Sequence, residues 1–208
     1  MVPGMPSRPR TDDRLRGLVL VAAMAVVMWI VEVVDLVAGD LDAAGIRPRD
    51  GEGLAGIPLA PFLHGGFGHL VANTLPFLAL GAVVALGGFA RVGAVTAIVV
   101  LVGGLGTWLT GGAGTVHIGA SGVVFGFAGY LVARALYSRR LVDLGGALVV
   151  LAVYGTTLLM GLVPTSGVSW QGHLFGALGG AVAARVLHRR DAGRPVGAGS
   201  APSPIRAA

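Results

Sequence analysis

Apolar positions in this chain run together in long stretches, separated by short polar, Gly- or Pro-containing connections. A membrane-spanning helix needs roughly 20 mostly apolar residues. Six segments meet that requirement: 17–38, 66–87, 92–110, 119–137, 142–163 and 170–188. The pattern predicts an all-α membrane protein, a polytopic bundle of six transmembrane helices. The run from Gly17 to Ala38 exceeds a signal-peptide core and is followed by no clean small-residue cleavage site, so it reads as a first membrane helix. Glu32 and Asp35 lie near its far end, where they either reach the interface or contact a neighbouring helix. The second and fourth segments are interrupted by polar residues near one end, and chemistry is expected there.

Composition supports the bilayer. The chain has 208 residues, 54% of them hydrophobic and 12% charged, and a mean hydropathy of +0.81. A soluble domain carries about 25% charge. All 15 basic residues are arginine and the net charge is +5. In a soluble protein that would suggest nucleic acid, but these arginines cluster at the ends of apolar segments. Thirteen fall on one side of the predicted membrane, leaving Arg47 and Arg49 on the other. The positive-inside rule then puts both termini in the cytoplasm. The chain divides into a cytoplasmic tail (1–16), a six-helix membrane domain (17–190) and a disordered tail (191–208) rich in Gly, Pro, Ser and Ala. The loop from Gly39 to Leu63 is extracytoplasmic, and its apolar part, Leu54 to Phe62, suits the lipid interface better than a free tether. With no cysteine, disulfide and thiolate chemistry are excluded. A compact chain without a targeting extension suits a bacterial plasma membrane.

A polar side chain at bilayer depth is expensive and is a functional hypothesis by default. Ser121 and His173 are two such residues, each set among glycines: Gly122 and Gly126 follow the serine, and Gly172, Gly176 and Gly180 surround and follow the histidine. Small residues four apart let membrane helices approach closely. Packing alone would explain the stripes, but stripes that face each other bring Ser121 and His173 together near the extracytoplasmic ends of their helices. A third constellation shifts the balance. His69 and Asn73 are spaced i, i+4 and project from one helical face. Both can donate hydrogen bonds from a rigid element, as an oxyanion hole requires, and His64 precedes them as a capping or orienting group. His64, His69 and His173 are potential metal ligands, yet no carboxylate partner follows the His-x-x-x-Asn pair and no His-Glu-x-x-His motif is present. No metal or other cofactor is expected.

At these residues the chain resembles the rhomboid family of intramembrane serine proteases. The resemblance spans about residues 15 to 190 and rests on His-Gly-Gly-Phe-Gly-His-Leu-Val-Ala-Asn at 64–73, Gly-Ala-Ser-Gly at 119–122 and Gly-His-Leu-Phe-Gly at 172–176. It implies a dyad without an aspartate: Ser121 as nucleophile, His173 as general base and then acid. The Ser121 N–H, His69 and Asn73 would hold the oxyanion, with Gly119 and Phe125 packing the active site. Phe125 stands where the family often has tyrosine, keeping the ring and losing the hydroxyl. The family's frequent first-loop Trp-Arg pair is absent, as is a glutamate that many members carry after the second helix. Implied substrates are transmembrane helices of other proteins, cut near the extracytoplasmic face. The fifth predicted helix and the loop at 164–169 would form a lateral gate.

Two other function classes compete. A catalytically silent rhomboid-like protein binds transmembrane clients but lacks the serine or histidine, and this chain has both. A transporter would line a path across the whole membrane with polar groups, whereas here they gather near one face. The expected partners are the lipid bilayer and transmembrane substrates, with no nucleic acid. The glycine stripes serve internal packing, so they carry no oligomeric state.

Overall fold

The computed structural model describes residues 9–192 of the chain, and the elements that it shows are helices. In order they are α1 (Thr11–Ala38), the single turn α2 (Gly56–Leu59), α3 (Phe67–Ala85), α4 (Phe89–Thr110), α5 (Ser121–Ser138), α6 (Leu141–Gly161) and α7 (Trp170–Ala192). Four of these, α1, α3, α4 and α6, are long and apolar enough to cross a membrane. The other two long helices, α5 and α7, carry more polar side chains, among them Arg134 in α5 and His173, Arg185 and His188 in α7. α7 packs most extensively against α5 and then α4, and α5 also meets α3 and α6, so both are sheltered by protein. By contrast α6 buries only Ala147 and Val150 and lies at the periphery.

Helix α1 begins at Thr11 instead of residue 17, so residues 11–16 of the expected tail are helical. Asp12 and Asp13 in its first turn suit the positive end of the helix dipole. The Asp13 carboxylate also accepts the Phe89 N–H (3.3 Å), tying the starts of α1 and α4 together. At the other end, Asp35 accepts the Leu41 N–H (2.6 Å), while Glu32 is only 5% exposed. Asp191 and Ala192 complete α7. The remaining tail, 193–208, lies outside the described residues, as do residues 1–8.

The α5–α7 seam is a meeting of backbones. A Cβ on Gly176 would strike the Gly122 carbonyl, one on Gly180 the Gly126 carbonyl, and one on Gly129 the Ala177 carbonyl. The two glycine stripes therefore face each other, and close packing substitutes for the hydrophobic drive that lipid does not provide. Around this seam, Met28 of α1, Phe77 and Val84 of α3, Val95 of α4 and Phe127 of α5 form the buried core.

The long first connection folds back over one end of the bundle. Ile46 and His117 exchange two backbone hydrogen bonds (3.0 and 2.9 Å). The Gly119 N–H donates to the Ala60 carbonyl (2.8 Å), and the Trp108 indole N–H donates to the Asp50 carbonyl (2.8 Å). Ile57 and Ala60 are buried, with Val100 and Trp108 of α4 packed on them. Arg47 pairs with Asp50 (2.7 Å) and Glu52 (2.8 Å) within the same connection.

If the seam sets the fold, a side chain in it is overpacking. Gly180→Leu is expected to lose about 1–3 kcal/mol. Gly145→Ala, where an added Cβ inside α6 meets nothing, is expected to lose no stability, since alanine favours the helix over glycine. Thermal unfolding in detergent, followed by circular dichroism, compares the two.

Candidate active site

Ser121 is the first residue of α5, and the two residues before it fix its place. Gly119 has φ of +110°, a conformation that side chains other than glycine's rarely adopt, and a Cβ there would approach the His69 ring to 2.7 Å. The Ala120 N–H donates to Nε2 of His64 (3.3 Å). His64 is 1% exposed, and burial, reinforced by the neighbouring His69, pushes its pKa down to about 4. It is thus neutral at neutral pH, with the proton on Nδ1 and the Nε2 lone pair free to accept.

The Ser121 hydroxyl lies 2.8 Å from Nε2 of His173. The other ring nitrogen, Nδ1, lies 2.7 Å from the Gly161 carbonyl. A carbonyl only accepts, so Nδ1 must carry the proton. That leaves the Nε2 lone pair for the serine hydroxyl to donate into, the tautomer a general base needs. Gly161 ends α6, where carbonyls have no partner within the helix. The orphaned helix end thus orients the imidazole. Phe125 stacks on His173 with ring centroids 4.1 Å apart and planes 6° apart, and the histidine is 7% exposed. One hydrogen bond and one stacked ring leave the imidazole little freedom.

His69 and Asn73 both lie in the first two turns of α3. Nδ1 of His69 accepts the Gly65 N–H (3.4 Å), so Nε2 carries the proton and faces Gly119, just before the serine. Asn73 is 6% exposed and gives one amide hydrogen to the His69 carbonyl (3.0 Å), which leaves its second N–H to donate. The Ser121 N–H, in the first turn of α5, has no partner within its helix. Beside the serine a cavity of about 50 Å³ is lined by Thr107, His117, Gly119, Ser121 and Ser169 among others, with room and polar partners for water. Among the described residues no group of three or more His, Cys, Asp or Glu is arranged to hold a metal ion.

Residues 53–190 match the rhomboid domain family model. The chain belongs to the rhomboid family. Rhomboid proteins are in general serine intramembrane proteases, and the apolar helices make this one an integral membrane protein. It is 43% identical over 199 residues to the uncharacterized protein Rv1337 of Mycobacterium tuberculosis, covering 88% of this chain and 82% of that one. The uncharacterized protein ML1171 of Mycobacterium leprae is 42% identical over 197 residues, covering 88% and 78%. YdcA of Bacillus subtilis, whose name carries a provisional assignment as a rhomboid protease, is 33% identical over 119 residues, covering 57% and 59%.

In this rhomboid, four groups near Ser121 carried no sequence signature of their roles. The Gly161 carbonyl is invisible because every residue has one. His64 reads from sequence as a capping or orienting group, but its acceptor role toward Ala120 needs the tertiary contact. His117 and Ser169, 2.7 Å apart, lie 52 residues apart in the chain.

His64 gives a pH dependence with a defined sign. The unfolded chain protonates this histidine near pH 6.5, the folded chain only near 4. Between those values the unfolded state binds more protons, so stability falls as pH drops from 6.5 to 4 and is fully present above 6.5. His64→Gln, which has an acceptor but does not titrate, is expected to flatten that part of a melting temperature–pH curve in detergent.

Proposed function

We propose that this protein is a catalytically active intramembrane serine endopeptidase. The observation that carries the reading is the hydrogen bond from the Ser121 hydroxyl to His173 Nε2, with Nδ1–H held by the Gly161 carbonyl. Ser121 attacks the scissile carbonyl while His173 takes its proton, and His173 then returns that proton to the leaving amine. Water from the adjoining cavity, deprotonated by the same histidine, hydrolyses the acyl-enzyme. The tetrahedral oxyanion is met by the Ser121 N–H, Nε2–H of His69 and the free amide hydrogen of Asn73. Placement of Ser121 at the start of α5 adds the positive end of the helix dipole.

The substrates in this reading are transmembrane segments of other membrane proteins, cut near the extracytoplasmic face. Six spans with both termini in the cytoplasm, in a bacterial plasma membrane, complete it. Support comes from the arginine distribution and from the six long helices, with the polar groups of the site gathered at one end of them. The peripheral α6, which ends at Gly161 beside His173, is the element through which a substrate helix enters.

Cleavage of a single-span reporter in liposomes tests the reading, alongside labelling of Ser121 by a fluorophosphonate. Ser121→Ala and His173→Ala are each expected to lower turnover by about 10³-fold or more, with the helical circular dichroism retained. Asn73→Ala, which removes one oxyanion donor, is expected to lower kcat by about 10²–10³-fold. Cleavage that survives Ser121→Ala, or a folded wild type that neither cleaves nor labels, would overturn the assignment.

A further inference from the structure

The proposed nucleophile and base ride on different helices, so their 2.8 Å contact depends on how the start of α7 is held. Ser169 caps that start. Its carbonyl accepts the His173 N–H (3.1 Å) and its hydroxyl oxygen accepts the Gly172 N–H (3.3 Å). The same hydroxyl lies 2.7 Å from Nδ1 of His117, a residue in the segment that leads into Ser121. Nε2 of His117 in turn lies 2.9 Å from the Thr115 hydroxyl.

Every proton in this chain of contacts can be assigned. Thr115 donates its hydroxyl hydrogen to the Gly112 carbonyl (2.7 Å), and a carbonyl only accepts. Thr115 must therefore accept from His117, which puts the ring proton on Nε2. Burial lowers the pKa of His117, so the ring is neutral and Nδ1 is a bare acceptor. Ser169 then donates to Nδ1 while accepting from Gly172. The bonds run one way, from the Gly172 amide through Ser169, His117 and Thr115 to the Gly112 carbonyl. The backbone of His117 is meanwhile pinned by its two-way bridge to Ile46.

We propose that His117 is a positioning residue, clamping Ser169 at the cap of α7 to the segment entering Ser121 and so setting the register of His173 on the serine. It lies four residues before Ser121, and Ser169 lies four before His173, so the clamp ties the two proposed reacting groups at equal remove. A bond at this place restrains both translation and rotation of the first turn of α7. The inference rests on the proposed Ser121–His173 pair for its effect on reactivity, while the clamp itself is a contact that can be measured without catalysis.

The test uses three variants of the full chain in detergent. His117→Asn keeps an acceptor near the position of Nδ1, toward Ser169. His117→Gln keeps a polar group near the position of Nε2, toward Thr115. His117→Ala keeps neither. A misplacement of about 1 Å slows a reaction by up to about 100-fold. Fluorophosphonate labelling of Ser121 is therefore expected to slow by about 10- to 100-fold in the Ala and Gln variants and to stay close to wild type in Asn. On the single-span reporter the loss should appear in kcat with KM unchanged. Hydrogen exchange at the Gly172 and His173 amides should speed up in Ala and Gln only, and it reads the clamp even if wild-type Ser121 does not label. Failure of labelling in the wild type thus defeats the dyad reading alone. Unchanged exchange and labelling in His117→Ala, or rescue by Gln and not Asn, would overturn the clamp. Should His117→Ala not fold, Ser169→Ala breaks the same bond from the other side, and unchanged labelling there would overturn it equally.

Discussion

Direct backbone contact between α5 and α7 is the constraint on which the remaining geometry depends. Ser121 opens α5, and His173 sits three residues before Gly176, whose missing side chain lets α7 rest on the Gly122 carbonyl. One helix turn on, Gly180 rests on the Gly126 carbonyl in the same way. Two points of contact along a seam fix both distance and rotation between rigid helices. A hydrogen bond of 2.8 Å between residues 52 positions apart needs that rigidity. In lipid, where apolar helices gain little by leaving their surroundings, such close packing is what holds helices together.

The polar groups at the end of the bundle are arranged without burying an ion beside Ser121. In many serine hydrolases a carboxylate orients the histidine. Here the Gly161 carbonyl takes that place, and it brings a dipole instead of a charge. An unpaired carboxylate in a dry site is costly, whereas the carbonyl at the end of α6 needs a donor in any case. Stacking on Phe125 restrains the imidazole further without a polar atom. His64 and His117 follow the same economy, each neutral and each an acceptor at one ring nitrogen. The first connection, bridged to His117 and Gly119, lies against this end of the bundle and pins the segment that enters Ser121.

Helices α1, α3, α4 and α6 were legible in the sequence because an apolar run long enough to span lipid is a local property. The stripes at Gly122, Gly126, Gly172, Gly176 and Gly180 were legible too, since spacing of four is read along one helix. So were the polar residues Ser121, His173, His69 and Asn73, which stand out against apolar neighbours. The start of α1 was placed late because Thr11 to Arg16 is polar, and its helical state rests on capping charge and on the Asp13–Phe89 contact instead of on hydropathy. The first connection was not legible beyond its mixed character, since its fold comes from pairings with α4 and with residues 117 and 119.

What the sequence determined by itself was therefore the set of helices, their small-residue faces and the identity of the polar groups lodged in them. The tertiary structure alone decided that the two glycine faces meet and that the Gly161 carbonyl reaches the His173 ring. It alone decided, too, that His117 bonds to Ser169. The reason is physical: periodicity and polarity are written residue by residue along the chain, but the partner of a hydrogen bond is chosen by proximity in space. When that partner is a backbone carbonyl, no side chain records the choice.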